Sequence, residues 1–261
     1  MRIKIKLLIL GSLAMAAILI WLAVYYQEEQ KFLKVYFFDV GQGDAILIQK
    51  AGQQILIDGG PNKEILAKLG KVMPFWDKNI ELMISTHPDH DHLAGLNYVL
   101  ARYHVSLILE TDIACATQVC QKWQSFNNPR KIAKVGQQIK LNPDWLINIL
   151  SVDDSIVAKM LYQDKSFLFA ADAGFKTEEE LISQSFNLKS NVLKVGHHGS
   201  KNSTSQEFLE EVNPEIAVIS VGKNNNYGHP SPEVLERLRD IQVLRTDQIG
   251  DILIYGAFPN F

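Results

Sequence analysis

Apolar positions along this chain fall into one long run and many short ones. The long run, residues 7–26, reads LLILGSLAMAAILIWLAVYY, twenty residues without a charge and enough to cross a bilayer as a helix. Beyond it, short runs at 33–40, 45–49 and 55–57 are broken by GQGD and AGQQ, the pattern of hairpin-linked strands. A helix is expected after Pro61 and a strand over 80–85. Residues 93–100 then carry apolar side chains at helical spacing, which places Asp91 and His92 at a helix N-terminus. Residues 110–144 show no clear period. Strands return at 146–150, 156–161 and 167–170, and Thr177-x-x-Glu180 has the spacing of a capping box. Further strands at 192–195, 216–221, 243–245 and 252–255 alternate with helices, one predicted to start at Ser231 with Pro232 in its first position. The pattern predicts an α/β architecture with two layers of sheet covered by helices, and no internal sequence repeat is visible. Residues 1–30 are read as an anchor and linker, and 31–261 as one globular domain.

Composition adds limits more than answers. With 47% hydrophobic residues in 261, the chain can bury one large core. A net charge of −3 argues against a protein-wide basic surface for nucleic acid and leaves room for a local patch. Arg2, Lys4 and Lys6 precede the long apolar run, so the positive-inside tendency predicts a single-pass membrane protein with a cytoplasmic N-terminus and an extracytoplasmic domain. A cleaved signal peptide is the rival reading. Against it, the run exceeds a usual signal core and ends in Val24-Tyr25-Tyr26, without a small-x-small cleavage site. Cys115 and Cys120 are the two cysteines; a local disulfide and two free thiols stand as equal expectations.

Candidate chemistry gathers where strands end. The segment Thr86-His87-Pro88-Asp89-His90-Asp91-His92 follows the strand at 80–85 and packs imidazoles and carboxylates, the donors that divalent ions take. Asp58 ends another strand (LIDGGP), Asp172 a third (FLFAADAG), and His197 and His198 follow a fourth (LKVGHHGS). His229 lies in YGHPSP after a fifth. Of the 7 histidines only His104 lies outside these loops, which makes their coincidence hard to assign to surface decoration. Lys194, Lys201 and Lys223 flank these loops as possible phosphate neutralisers, although loop lysines are usually only solvated. Trp76, Trp123 and Trp145 are candidates for the core or for base stacking, with the core favoured. Asp39 and Asp44, in DVGQGD, read as turn residues, with packing beneath the site as the alternative.

The ordered series FFDVGQGDAILI, ILIDGGP, STHPDHDHLAG, FLFAADAG, LKVGHHGSKNS, SVGKNNNYGHPSPEVLERL and RTDQIGDI resembles the metallo-β-lactamase superfamily, and within it the C-terminal domain of the ComEC competence proteins. The resemblance implies a four-layer αβ/βα sandwich with two divalent metal ions, zinc or manganese, at one edge of the sheets. It implies His87 and Asp89 on the first ion, Asp91, His92 and His229 on the second, and Asp172 as the bridge. Asp58 is implied in an outer position that orients the histidine loop, with His197 likewise outside the ligand set. Asp91 and His198 are the expected catalytic residues, His198 as a ligand or a proton donor to the leaving group. Ser200, Lys201 and Ser203 are the expected substrate contacts. The broad superfamily motif is His-x-His-x-Asp-His, and here Asp89 replaces the second histidine. No histidine is visible between the first cluster and Asp172 except His104. A harder ligand set moves the expected ion from zinc alone toward manganese or a mixed site.

The function implied is a membrane-anchored, metal-dependent hydrolase, with a phosphodiesterase or nuclease, acting by a hydroxide held between two ions, as the first reading. DNA or another phosphodiester would then be its partner. Two alternatives remain open: hydrolysis of a lactam, thioester or other small carbonyl compound, and a non-catalytic scaffold or DNA-binding protein. ComEC proteins join this domain to a multi-helix channel. One apolar run cannot form such a channel, so a role in DNA uptake is not carried over.

Overall fold

A computed structural model describes residues 2–29, 32–143 and 145–256. Helix α1 (Arg2–Glu29) comes first, and its described side chains lie exposed. Its stretch Ile3–Trp21 is long and apolar enough to cross a membrane.

A first sheet follows. Strands β1 (Lys34–Phe37), β2 (Ile46–Lys50) and β3 (Gln53–Ile57) form an antiparallel meander. Then come α2 (Glu64–Val72), β4 (Asn79–Ile80), β5 (Leu82–Ser85), α3 (His90–Leu100), β6 (His104–Val105), β7 (Ile108–Glu110), α4 (Gln118–Gln124) and β8 (Arg130–Ile132). Strands β3, β5, β7 and β8 are parallel neighbours, while β4 and β6 pair separately.

The second sheet repeats this plan. Strands β9 (Gln138–Asn142), β10 (Trp145–Ser151), β11 (Val157–Tyr162) and β12 (Lys165–Phe169) are antiparallel. Next are α5 (Phe175–Ser183), β13 (Val192–Lys194), a 3-10 turn at Gly196–Gly199, α6 (Gln206–Val212), β14 (Ile216–Ile219), α7 (Pro232–Arg237) and β15 (Gln242–Arg245). Strands β12 to β15 run parallel. After α8 (Thr246–Ile249), β16 (Ile252–Tyr255) returns to pair with β1, so each sheet has seven strands.

The period of two along the strands sorts residues between layers. Ile46, Ile48, Ile55 and Ile57 face the second sheet, where they meet Ile147, Ile149, Met160 and Phe169 in a shared core. Leu47, Leu56 and Met83 point the other way, onto Ile65 and Leu69 of α2, Leu93 and Leu96 of α3 and Trp123 of α4. On the far face of the second sheet, Leu168, Leu193 and Ala217 meet Leu181 of α5, Phe208 of α6 and Val234 of α7. The layers therefore run helix, sheet, sheet, helix. Strands covered on both faces read as continuous apolar runs, which is why β2 and β3 were legible and α1 stood apart.

Two expectations change. The patternless region 110–144 contains α4, β8 and β9; Arg130, Lys131 and Ile132 of β8 lie at a sheet edge and are mostly exposed, so burial imposes little period on them. The capping box at Thr177 does not form. Helix α5 starts three residues earlier, with Gly174 instead of Thr177 at its N-cap, and Thr177 is buried inside the first turn. By contrast, Ser231 caps α7 as expected, its Oγ accepting from Val234 N–H at 3.3 Å.

Candidate metal centre

Parallel strands deliver their C-terminal ends to one side of each sheet, and there the candidate residues meet. The loop after β3 turns at Asp58, buried and with φ of 56°. Its Oδ1 accepts from Thr86 N–H at 2.9 Å, and its Oδ2 accepts from Thr86 Oγ1 at 2.6 Å and contacts His92 Nδ1 at 2.8 Å. Because the Thr86 hydroxyl donates to Asp58, it receives its own hydrogen bond from His87 Nδ1, 2.9 Å away. In their neutral forms both imidazoles thereby carry the proton on Nδ1 and leave the Nε2 lone pair free, the arrangement a metal ligand needs.

His198 reaches the same state from the second sheet. Its Nδ1 lies 2.9 Å from the Ser220 carbonyl, which can only accept, so Nε2 is again left without a proton in the neutral ring. His197 and His198 both have positive φ, 47° and 54°, a pair of strained non-glycine residues in the turn after β13. The turn is held against the Asp172 loop by His197 N–H to Ala171 O at 2.9 Å, and a Cβ on Gly196 would lie 2.6 Å from Ala173 O.

Two sets of donors result, joined by Asp172. On one side, His198 Nε2 lies 3.3 Å from His92 Nε2, 3.3 Å from Asp91 Oδ2 and 3.5 Å from Asp172 Oδ1, and His92 Nε2 lies 3.4 Å from Asp172 Oδ1. Ligands around a tetrahedral ion at about 2.0–2.1 Å are about 3.3 Å apart, so these separations fit one ion. On the other side, Asp172 Oδ2 lies 3.6 Å from His87 Nε2 and 3.8 Å from His197 Nε2, and Asp89 Oδ2 is 3.6 Å from His87 Nε2. This set is wider and wetter, with the Asp89 side chain 71% exposed and His197 48%. Among the described residues His87 Nε2 and Asp172 Oδ1 are buried without a hydrogen-bond partner, polar atoms whose cost an ion would remove.

Charge is shared within the cluster. Burial alone would lower the His92 and His198 pKa values. Asp172 and Asp58 nevertheless hold His92 well above its ordinary value, and Asp44, Asp91 and Asp172 push His198 up to about 9. Burial would raise the carboxyls, yet His92 and His87 hold Asp172 well below the usual range, and Lys194 and His198 do the same for Asp44.

Other candidates are placed differently from expectation. His229 falls outside these donor groups among the described residues; its ring stands 5.9 Å from that of His197, and burial together with the neighbouring His197 lowers its pKa. His198 Nε2, rather than His229, stands within 3.5 Å of Asp91, His92 and Asp172 in this arrangement. Ser203 is fully buried, its hydroxyl committed to Gly196 O at 2.8 Å and Ser200 O at 2.9 Å, and so braces the turn. Ser200 is also buried, with its Oγ 3.4 Å from Asn202 N, whereas Lys201 and Lys223 are exposed. Lys194 is fully buried, its ammonium 2.6 Å from Asp44 Oδ2, and cannot meet phosphate. Trp123 and Trp145 are buried in the core, while Trp76 is exposed. The cysteines form a disulfide, and Cys120 Sγ packs 3.7 Å from Pro88 O inside the histidine loop.

The residue that sequence reasoning undervalued is Asp44. It lies 3.4 Å from His198 Nδ1 while paired with Lys194, so it braces His198 from beneath. The signal was present in DVGQGD, where a second aspartate followed a turn already formed. The same loop runs tightly under the centre. A Cβ on Gly43 would lie 2.1 Å from Asp91 O, and one on Gly95 would lie 1.7 Å from Gly59 O. Helix α3 therefore docks backbone to backbone, with Gly59 N–H to His92 O and Gly95 N–H to Gly60 O both at 2.8 Å.

Known proteins share these features. The metallo-beta-lactamase superfamily model matches residues 38–223. ComE operon protein 3 of Bacillus subtilis is 31% identical over 252 residues, covering 84% of this chain and 32% of that protein. Recombination protein 2 of Haemophilus influenzae is 32% identical over 231 residues, 82% of this chain and 27% of that protein. The chain thus spans a third or less of the length of these relatives. Among solved structures, the metallo-beta-lactamase fold protein YhfI from Bacillus subtilis superposes with a TM-score of 0.61 at 13% identity, over 86% of this chain and 100% of that one. Tm1679, a metal-dependent hydrolase of the beta-lactamase superfamily, gives 0.55 at 11% identity over 85% and 98%. The family match takes in the DVGQGD loop, the histidine loop, Asp172 and the paired histidines alike, and the chain belongs to the metallo-β-lactamase superfamily.

Proposed function

We propose that this protein is a membrane-anchored, metal-dependent hydrolase of phosphodiesters, with DNA as the favoured polymer. The observation that carries the reading is the pair of donor sets sharing Asp172, one oxygen turned to each. Asp91, His92, His198 and Asp172 would hold one ion, and His87, Asp89 and Asp172, with His197 beside them, the other. Two divalent ions so held would supply an acidified water and charge stabilisation for both the attacking and the leaving oxygen, chemistry well matched to phosphorus. Asp58 and Thr86 keep His87 and His92 in the ligating tautomer, and Ser220 and Asp44 do so for His198. His197 and His229 face one another on the open side and are the imidazoles placed to pass a proton to a leaving group. A relative named for recombination favours a nucleic-acid phosphodiester over a small carbonyl compound.

For the anchor, α1 with its N-terminal Arg2, Lys4 and Lys6 supports a cytoplasmic N-terminus, and the disulfide supports an oxidising compartment for the rest. The full chain in lipid nanodiscs, given manganese or zinc, is expected to bind two ions and to cleave single-stranded DNA and a chromogenic phosphodiester faster than nitrocefin. Full metal loading with no phosphodiester turnover would sink the proposal.

A further inference from the structure

The edge of the first sheet opposite the metal centre carries an unusual surface. Strand β3 leads away from that edge at Gln53 and ends at Ile57, next to Asp58, so edge and centre are a strand length apart, about 17 Å for five residues. Lys34 of β1, Gln49 of β2 and Gln54 of β3 lie in one row across it, and Gln54 Nε2 donates to Asp77 Oδ2 at 2.9 Å. Immediately before Asp77, beyond the end of α2, are Phe75 and Trp76, 82% and 66% exposed, with rings edge to face at 4.8 Å. Lys71, Lys78 and Arg102, all exposed, accompany them, the Lys78 ammonium lying 5.0 Å over the ring of Tyr103. Two carboxylates beside them are turned inward: Asp77 to Gln54, and Glu81 to the Gln54 N–H at 2.6 Å.

The same edge receives the apolar helix. Helix α1 ends at Glu29 and β1 starts at Lys34, and the five Cα steps between them reach at most about 18 Å. From Lys34 to Gln54 is two strand spacings, about 10 Å.

Resting on the reading that α1 crosses a membrane, we propose that the Phe75–Trp76 turn is a second membrane contact, seated at the headgroup boundary of the bilayer that holds α1. Aromatic rings flanked by lysine and arginine suit that boundary, and anionic headgroups complement the cations. A second copy of the chain fits less well, because a two-fold contact would bring like charges together. Planted in this way, the metal centre opens away from the lipid. Its substrate is then a phosphodiester dissolved in the aqueous phase, out of reach of headgroups in the same leaflet.

The test places an NBD fluorophore at Phe75→Cys in the full chain, reconstituted in phosphatidylcholine/phosphatidylglycerol vesicles, with Leu13→Cys as the lipid reference and Lys176→Cys as the water reference. The probe at 75 should be quenched by doxyl lipid and several-fold less by iodide than the probe at 176. Equal iodide quenching at 75 and 176, with doxyl quenching at 13, overturns the proposal while leaving the anchor intact. Protection from iodide without doxyl quenching also overturns it, in favour of a protein contact. A water-like probe at 13 removes the anchor and the proposal together. Trp76→Cys gives the same readout should the first variant fail to fold.

Discussion

The two halves of this molecule share one topology and use it unequally. Each has an antiparallel meander followed by parallel strands, and in each the strand that joins the two modes, β3 or β12, leads into an aspartate. Asp58 is sealed by Thr86 and His92 and orients imidazoles, whereas Asp172 stands between the two donor sets with Oδ1 lacking a hydrogen-bond partner among the described residues. The next strands, β5 and β13, end in the two histidine loops. The first loop runs straight into α3 and carries its donors on a helix start; the second inserts a strained turn before α6. Equivalent positions in a fold thus acquire different chemistry from what closes over them, not from where they lie.

Asp172→Asn should break the comparison most sharply. Loss of the shared carboxylate is expected to abolish binding of at least one ion and to cut turnover by more than about 100-fold, while Asp58→Asn should keep both ions and lose about 10–100-fold in affinity. Metal content by mass spectrometry and single-turnover rates separate the two; equal losses would show that the halves are not distinguished as described.

Lys194→Met tests the brace beneath the second histidine loop. It leaves Asp44 buried and without its cation, and should cost about 3–5 kcal/mol in denaturant unfolding. A smaller loss would mean that water or His198 takes over the pairing.

Gly95→Ala probes the first half in the same way. Its Cβ would meet backbone, not a flexible side chain, so about 3 kcal/mol of destabilisation is expected, more than for Gly196→Ala, where the nearest atom is 2.6 Å away. Reduction of the Cys115–Cys120 disulfide, which lies only in the first half, should cost less, about 2 kcal/mol for so short a loop, read as a fall in thermal midpoint.

Much of this organisation was legible in the chain, and the reasons differ from place to place. Strands β2 and β3 announced themselves because both faces are buried, and the histidine loop because its donors are contiguous. Strand β8 did not, since an exposed edge leaves no apolar period. The partition of the histidines was also hidden: spacing in sequence cannot reveal that His198 meets His92 at 3.3 Å while His229 stands aside beside His197. Asp44 and Lys194 are 150 residues apart by their numbers, and nothing local marks them as a pair. The topological repeat left no sequence echo, because a layer requires only apolar positions and not particular residues.

The return of β16 to β1 bears on how the chain acquires this structure during synthesis. The first sheet takes its outer strand, Ile252–Tyr255, from a stretch far beyond β1 in sequence, with the whole second sheet made in between, so the open side of β1 stays without this partner until that later stretch has left the ribosome. An unpaired strand is a template for wrong partners. Until then a nascent chain holds its aspartates and histidines in a half-closed body, and β16, which follows all the other strands of its own sheet, is the one that shuts it.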